Sequence, residues 1–199
     1  MSVAEAVSRP EMDLDRPGVV WLGGMAVPIR LTGAERAVAR LLAPPSPRAA
    51  TSLSVASSLT VAPSLSVAPS LHVGGRRRKD AARAIDRWYR REARERIAAV
   101  TAAEAARLEL EPGRVTIRDQ KTRWGSCSTS GTLSFNWRLV IGPGHALRYV
   151  VIHELVHIRH HNHSRIFWNA LTEALPDWKR SADWLRANER LLTAYRPRI

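Results

Sequence analysis

Apolar residues crowd one short stretch of this chain from nearly every side. Leu147, Val150, Val151, Ile152, Leu155 and Val156 fall around most of a helical circumference, the pattern of a buried helix, and Pro143-Gly144 breaks the chain just before it. Upstream, residues 114–118 and 132–137 alternate polar and apolar side chains, with Ser128-Thr129-Ser130-Gly131 as a turn between extended arms. That rhythm predicts a β-hairpin or small antiparallel sheet. Between residues 76 and 100, Ile85, Trp88, Tyr89, Ile97 and Val100 are interleaved with arginines, which predicts an amphipathic helix covering the core with its cations outward. Residues 166–175 read as a further helix. The predicted class is α+β, an apolar helix packed on a small sheet.

The first third of the chain is less regular. Residues 19–22 and 25–29 suggest a hairpin around Gly23-Gly24, followed by a short helix over 33–42. Pro44-Pro45-Ser46-Pro47 marks a boundary. Residues 51–75 carry no charge and contain four hexapeptides, each opening Ser-Leu-Xaa-Val. Four short units supply little core for a β-helix, and serines and prolines interrupt any transmembrane reading, so a linker or local strand is expected. The resulting division is an N-terminal segment (1–50), a low-complexity connection (51–75) and a larger domain (76–199).

Charge follows the same division. Through residue 75 there are 6 Lys/Arg against 5 Asp/Glu, a net of +1; from residue 76 onward there are 25 against 13, a net of +12. The densest run starts at Arg76-Arg77-Arg78-Lys79 and continues through Arg83, Arg87, Arg90, Arg91, Arg94 and Arg96. Such a field favours nucleic acid, nucleotides, acidic proteins or anionic membrane surfaces as partners, and it says nothing about fold. A single cysteine, Cys127, permits no internal disulfide, and no basic start with an apolar core and cleavage site is visible, so a cytoplasmic location without membrane insertion is expected.

The buried helix also carries the chemistry. His153-Glu154-Leu155-Val156-His157 places two imidazoles one turn apart on one face, where both can reach a single ion. Six of the seven histidines lie between His145 and His163, which makes a chance pentapeptide a poor account. His163, six positions after His157, can complete the set if Asn162, tolerant of the left-handed conformation, turns the chain back. Three imidazoles suit Zn2+ with a coordination position left open, and Glu154 beside the ion suits the general base for a water activated there. His160 and His161, near the helix end, receive no ligand role. Glu173 is the rival third ligand. The spacing of the three histidines matches that of metzincin proteases, but His160 stands where their motif has glycine.

Gln120-Lys121-Thr122-Arg123-Trp124-Gly125-Ser126-Cys127, then Asn136-Trp137-Arg138-Leu139, the histidine motif, Asn162-His163-Ser164 and Phe167-Trp168 together resemble the YgjP-like metallopeptidases, relatives of the SprT and WLM zinc peptidases. The resemblance covers residues 76–190. It implies a zincin-like domain, with His153, His157 and His163 as zinc ligands, Glu154 as acid/base, and a peptide or protein substrate. A nucleoside triphosphate pyrophosphohydrolase activity attributed to the group is the alternative, as is a nucleic-acid-binding module with a structural zinc. Tyr149, Arg123 and His161 are the candidates for stabilising an oxyanion. Trp124, Gly125 and Cys127 read first as packing residues, Gly125 through a bulge or close backbone approach and Cys127 alternatively as a thiol facing the site.

Overall fold

A two-residue turn begins the first sheet. In the computed structural model, which describes residues 12–14, 16–42 and 68–197, β1 (Val19–Leu22) and β2 (Met25–Leu31) pair antiparallel, Leu22 opposite Met25. Gly23 and Gly24 have φ of 62° and 79°, and two successive positive φ values give a hairpin turn whose twist matches its strands. The helix expected over 33–42 does not form. Instead β3 (Ala39–Leu42) pairs antiparallel with β4 (Ser70–Val73), which also pairs in parallel with β2, giving the order β1-β2-β4-β3. A helix of about ten residues is marginal alone in water, and the ladder to β4, with Ala39 and Leu71 buried, decides the outcome. β4 falls within the last of the four hexapeptides; residues 52–67 lie outside the described part.

α1 (Arg78–Arg107) is a 30-residue helix, about 45 Å long by its rise. It buries Ala81, Ala84, Ile85, Trp88, Tyr89, Ala93, Ile97, Thr101, Glu104 and Ala105, a three-and-four spacing that fits the predicted amphipathic pattern. Tyr89 ties three segments together. Its hydroxyl donates to the Trp21 carbonyl (2.8 Å), accepts from the Trp21 N–H (3.0 Å) and meets the Tyr195 hydroxyl at 3.0 Å.

The second sheet is mixed where an antiparallel one was expected. β5 (Val115–Arg118) runs parallel to β7 (Leu133–Asn136), and the hairpin partner of β7 is β6 (Gly125–Cys127), giving the order β5-β7-β6. The turn over 128–131 closes with the Gly131 N–H donating to the Ser128 carbonyl (2.9 Å), and the arm leading into it is Gly125–Cys127. β5 reaches its place through the loop over residues 119–124, which is pinned by Asn136 Nδ2 donating to the Gln120 carbonyl (2.7 Å) and by an Arg138–Asp119 ion pair.

After a 3-10 turn (Trp137–Val140) come α2 (Gly144–Val156), α3 (Arg165–Ala174) and α4 (Trp178–Ala194). The main core joins both sheets to α1, α2 and α4, so side chains on either side of residue 75 share it. A smaller cluster packs Ile152 and Val156 of α2 against Phe167, Leu171, Ala174 and Leu175. No helix among the described residues is long and apolar enough to cross a membrane.

Candidate metal centre

α2 is buried through Ala146, Leu147, Val150, Val151, Ile152, Leu155 and Val156, so its polar positions are held against rigid surroundings. His153 lies in its last turn and His157 just beyond its end, with ring centroids 4.9 Å apart. The chain then turns back into α3 and carries His163 over the pair. His163 Nε2 lies 3.1 Å from His153 Nε2 and 3.2 Å from His157 Nε2. Asn162 does not take the left-handed conformation expected of it; the one non-glycine residue with positive φ among those described is Glu109.

These separations fit an ion. Nitrogens bound at 2.0–2.1 Å in a tetrahedron stand about 3.3 Å apart. The three ligand atoms all lie within 4.8 Å of one another, the one such group among the described residues. The His157 Nδ1 faces the His160 carbonyl at 2.9 Å; donating there leaves Nε2 its lone pair, the tautomer a metal ligand needs. Burial, then the neighbouring His157 and His163, push His153 down to about 3. His157 is lowered as well, chiefly by burial and against the pull of the His160 carbonyl. Neutral imidazoles are the form that binds metal.

Glu154 occupies the seam between α2 and β6. It is 6% exposed, and a Cβ on Gly125 would stand 2.6 Å from its Oε1. Glycine here is a steric requirement, the close approach that the sequence allowed for. Burial raises the Glu154 carboxyl to about 7, opposed by the positive charge of Arg123. Tyr149 is raised, first by burial and then by the Glu154 charge; its ring meets His153 edge-on at 5.8 Å. Each of the three oxyanion candidates is coupled electrostatically to this corner, Arg123 and Tyr149 through Glu154 and His161 through His157.

Other candidates fall elsewhere. Glu173 lines a hollow with Arg107, Arg159 and His160 and is not among the residues whose ligand atoms converge. His160 contributes its carbonyl to His157. Cys127 is half-buried, its thiol pushed up by burial and by Glu154 and placed 3.4 Å from the Ser128 carbonyl. Phe167, part of the Phe167-Trp168 motif, is a site residue that the motif alone does not mark. It is fully buried, with His153, His157 and His163 centred 4.9, 4.5 and 4.7 Å from its ring; its place three residues into the helix after His163 was the available signal.

Against this geometry, residues 63–188 match the YgjP-like metallopeptidase domain. The chain belongs to the YgjP-like family. A YgjP-like protein is a metal-dependent hydrolase of the peptidase class, and the match spans β4, α1, the second sheet, α2, α3 and most of α4. The chain is also similar to the metallopeptidase zymogen abylysin of Pyrococcus abyssi, with 23% identity and a TM-score of 0.43 over 52% of this chain and 99% of that one. No curated protein matches this sequence.

Proposed function

We propose that this YgjP-like protein is a zinc-dependent peptidase in which His153, His157 and His163 hold the ion and Glu154 is the general base. The observation that carries this reading is the convergence of the three Nε2 atoms at the end of α2, with Glu154 following His153 in the chain and buried against β6. Zinc, when bound, would supply Lewis acidity toward a carbonyl oxygen and a lowered pKa for water. Glu154 takes the proton from the attacking water and hands it to the departing amine, a double task suited to a carboxyl that burial has moved toward neutrality. Arg123 and Tyr149 are the chain's donors for the developing oxyanion.

Peptide is favoured as substrate by the position of β6. It is an edge strand, paired on one side to β7, and Gly125 on it touches Glu154. An extended polypeptide adding alongside β6 passes the carboxyl with its main chain hydrogen-bonded. Glu154→Gln is expected to keep full zinc content while turnover of an unfolded polypeptide falls about 10²–10⁴-fold. Undiminished hydrolysis by that variant would exclude the base.

A second reading, polyanion recognition, rests on α1. Arg83, Arg87, Arg91 and Arg94 are exposed along one face, while the helix's ion pairs engage Arg90, Arg96 and Arg107. Nucleic acid bound there is released steeply by salt and is unaffected by Glu154→Gln. Hydrolysis of nucleoside triphosphates in place of polypeptide, measured in parallel, would transfer the metal site to nucleotide chemistry.

A further inference from the structure

Metal-binding histidines are ordinarily oriented by a hydrogen bond to the ring nitrogen that does not bind the ion. Here one ring of three has that support. His157 has the His160 carbonyl, whereas His153 Nδ1 is buried without a hydrogen-bond partner. Among the described residues no hydrogen bond reaches His163 Nδ1; its Nε2 faces the other two imidazoles. His163 is also exposed and stands on a turn, so it has the most freedom to lose.

Ring contacts fill that role. We propose that Phe167 and Trp168 are positioning residues that orient the imidazoles for metal binding; the proposal rests on the metal-site reading above. Phe167 is a floor common to all three rings, at 4.5–4.9 Å between centroids. Trp168, one residue further along α3, stacks on His163 at 5.5 Å and 28°. Successive helix positions point about 100° apart, so one residue reaches beneath the cluster and the next reaches its flank.

The indole is itself held from behind. Trp178 stacks on Trp168 at 4.9 Å and 25°, and Tyr149 stacks on Trp178 at 6.2 Å and 13°. Trp178 Nε1 donates to Thr172 Oγ1 (3.0 Å), which donates to the Trp168 carbonyl (2.8 Å). The row of rings thus runs from His163 to α2, anchored by hydrogen bonds at the start of α4. An imidazole bound to a cation also carries positive charge that the face of an indole attracts.

The test uses the full chain, freed of metal and titrated with Co2+ and Zn2+ against a chromophoric chelator. Trp168→Ala is expected to weaken binding tenfold to a hundredfold, the range for lost orienting partners, and to change the visible Co2+ spectrum; Trp168→Phe restores most of both. In a His163→Ala background, Trp168→Ala adds no further loss. Wild-type affinity and spectrum in Trp168→Ala, or an equal loss with and without His163, overturns the proposal. If Trp168→Ala does not fold, Phe167→Leu keeps an apolar side chain beneath the rings and serves instead. Unchanged binding in Phe167→Leu overturns the role of the floor, and failure of the wild-type chain to bind either ion overturns the metal reading and this inference together.

Discussion

Two polar centres, one enclosed and one open to solvent at His163, organise this molecule on different terms. At the Tyr89 node one hydroxyl satisfies a backbone donor, a backbone acceptor and a second hydroxyl, so burial costs it little and the bonds it makes are retained. Around Phe167 three imidazoles turn their Nε2 atoms toward one another, one ring has a buried Nδ1 without a partner, and a carboxyl lies in the adjoining seam. Such an arrangement is unfavourable for the folded chain by itself. The contrast teaches that buried polarity serves stability at the first centre and is tolerated for chemistry at the second.

The largest effect expected from this contrast is on zinc. Ion at a thousandfold excess over its dissociation constant stabilises the fold by about 4 kcal/mol, read as a rise in the unfolding midpoint of the metal-free protein. His163→Ala removes most of that rise; Tyr89→Phe leaves it intact. A Tyr89→Phe protein that no longer responds to zinc would show the two centres to be one. Next in size, Tyr89→Phe itself costs roughly 1–3 kcal/mol, because the buried Trp21 N–H loses its acceptor, measured by denaturant unfolding without metal.

The smallest effect concerns Glu154, and its sign is opposite. Its carboxyl is raised in the folded state from 4.5 to about 7, so the folded chain binds more protons than the unfolded one across that interval. Its ionisation therefore lowers stability as pH rises from 4.5 to 7, and the loss is complete above 7. Metal-free Glu154→Gln is expected to be more stable than wild type at pH 8, by about 1–2 kcal/mol once relaxation around the carboxyl is allowed for, with the gain gone at pH 4.5. Equal stability at both pH values would place the carboxyl in water.

Much of the second centre was legible because its signals are local. The four-residue spacing of His153 and His157, the return of His163 and the all-round apolar pattern of α2 lie within a few helical turns. The first hairpin was readable for a similar reason, since Gly23-Gly24 fixes its turn. What escaped was non-local. The parallel pairing of β5 with β7 depends on a crossover that no alternation reports, and Gly125–Cys127 is too short to show a period. Residues 39–42 became a strand because β4, about thirty positions later, offered an edge. Phe167 entered only as part of the Phe167-Trp168 motif, because its contact with three rings depends on how α3 packs beneath them.

The hydroxyl of Tyr89 carries one more implication. Its partners, Trp21 and Tyr195, both fall beyond residues 63–188, the span shared with the family. The Gly23 and Gly24 amides likewise donate to the carbonyls of Val140 and Ile141 at 2.7 and 2.9 Å, just ahead of α2. A chain cut back to the common stretch would strip the longest helix of its polar clasp and leave the approach to the histidine helix uncovered, so the flanks are structural members of the catalytic unit.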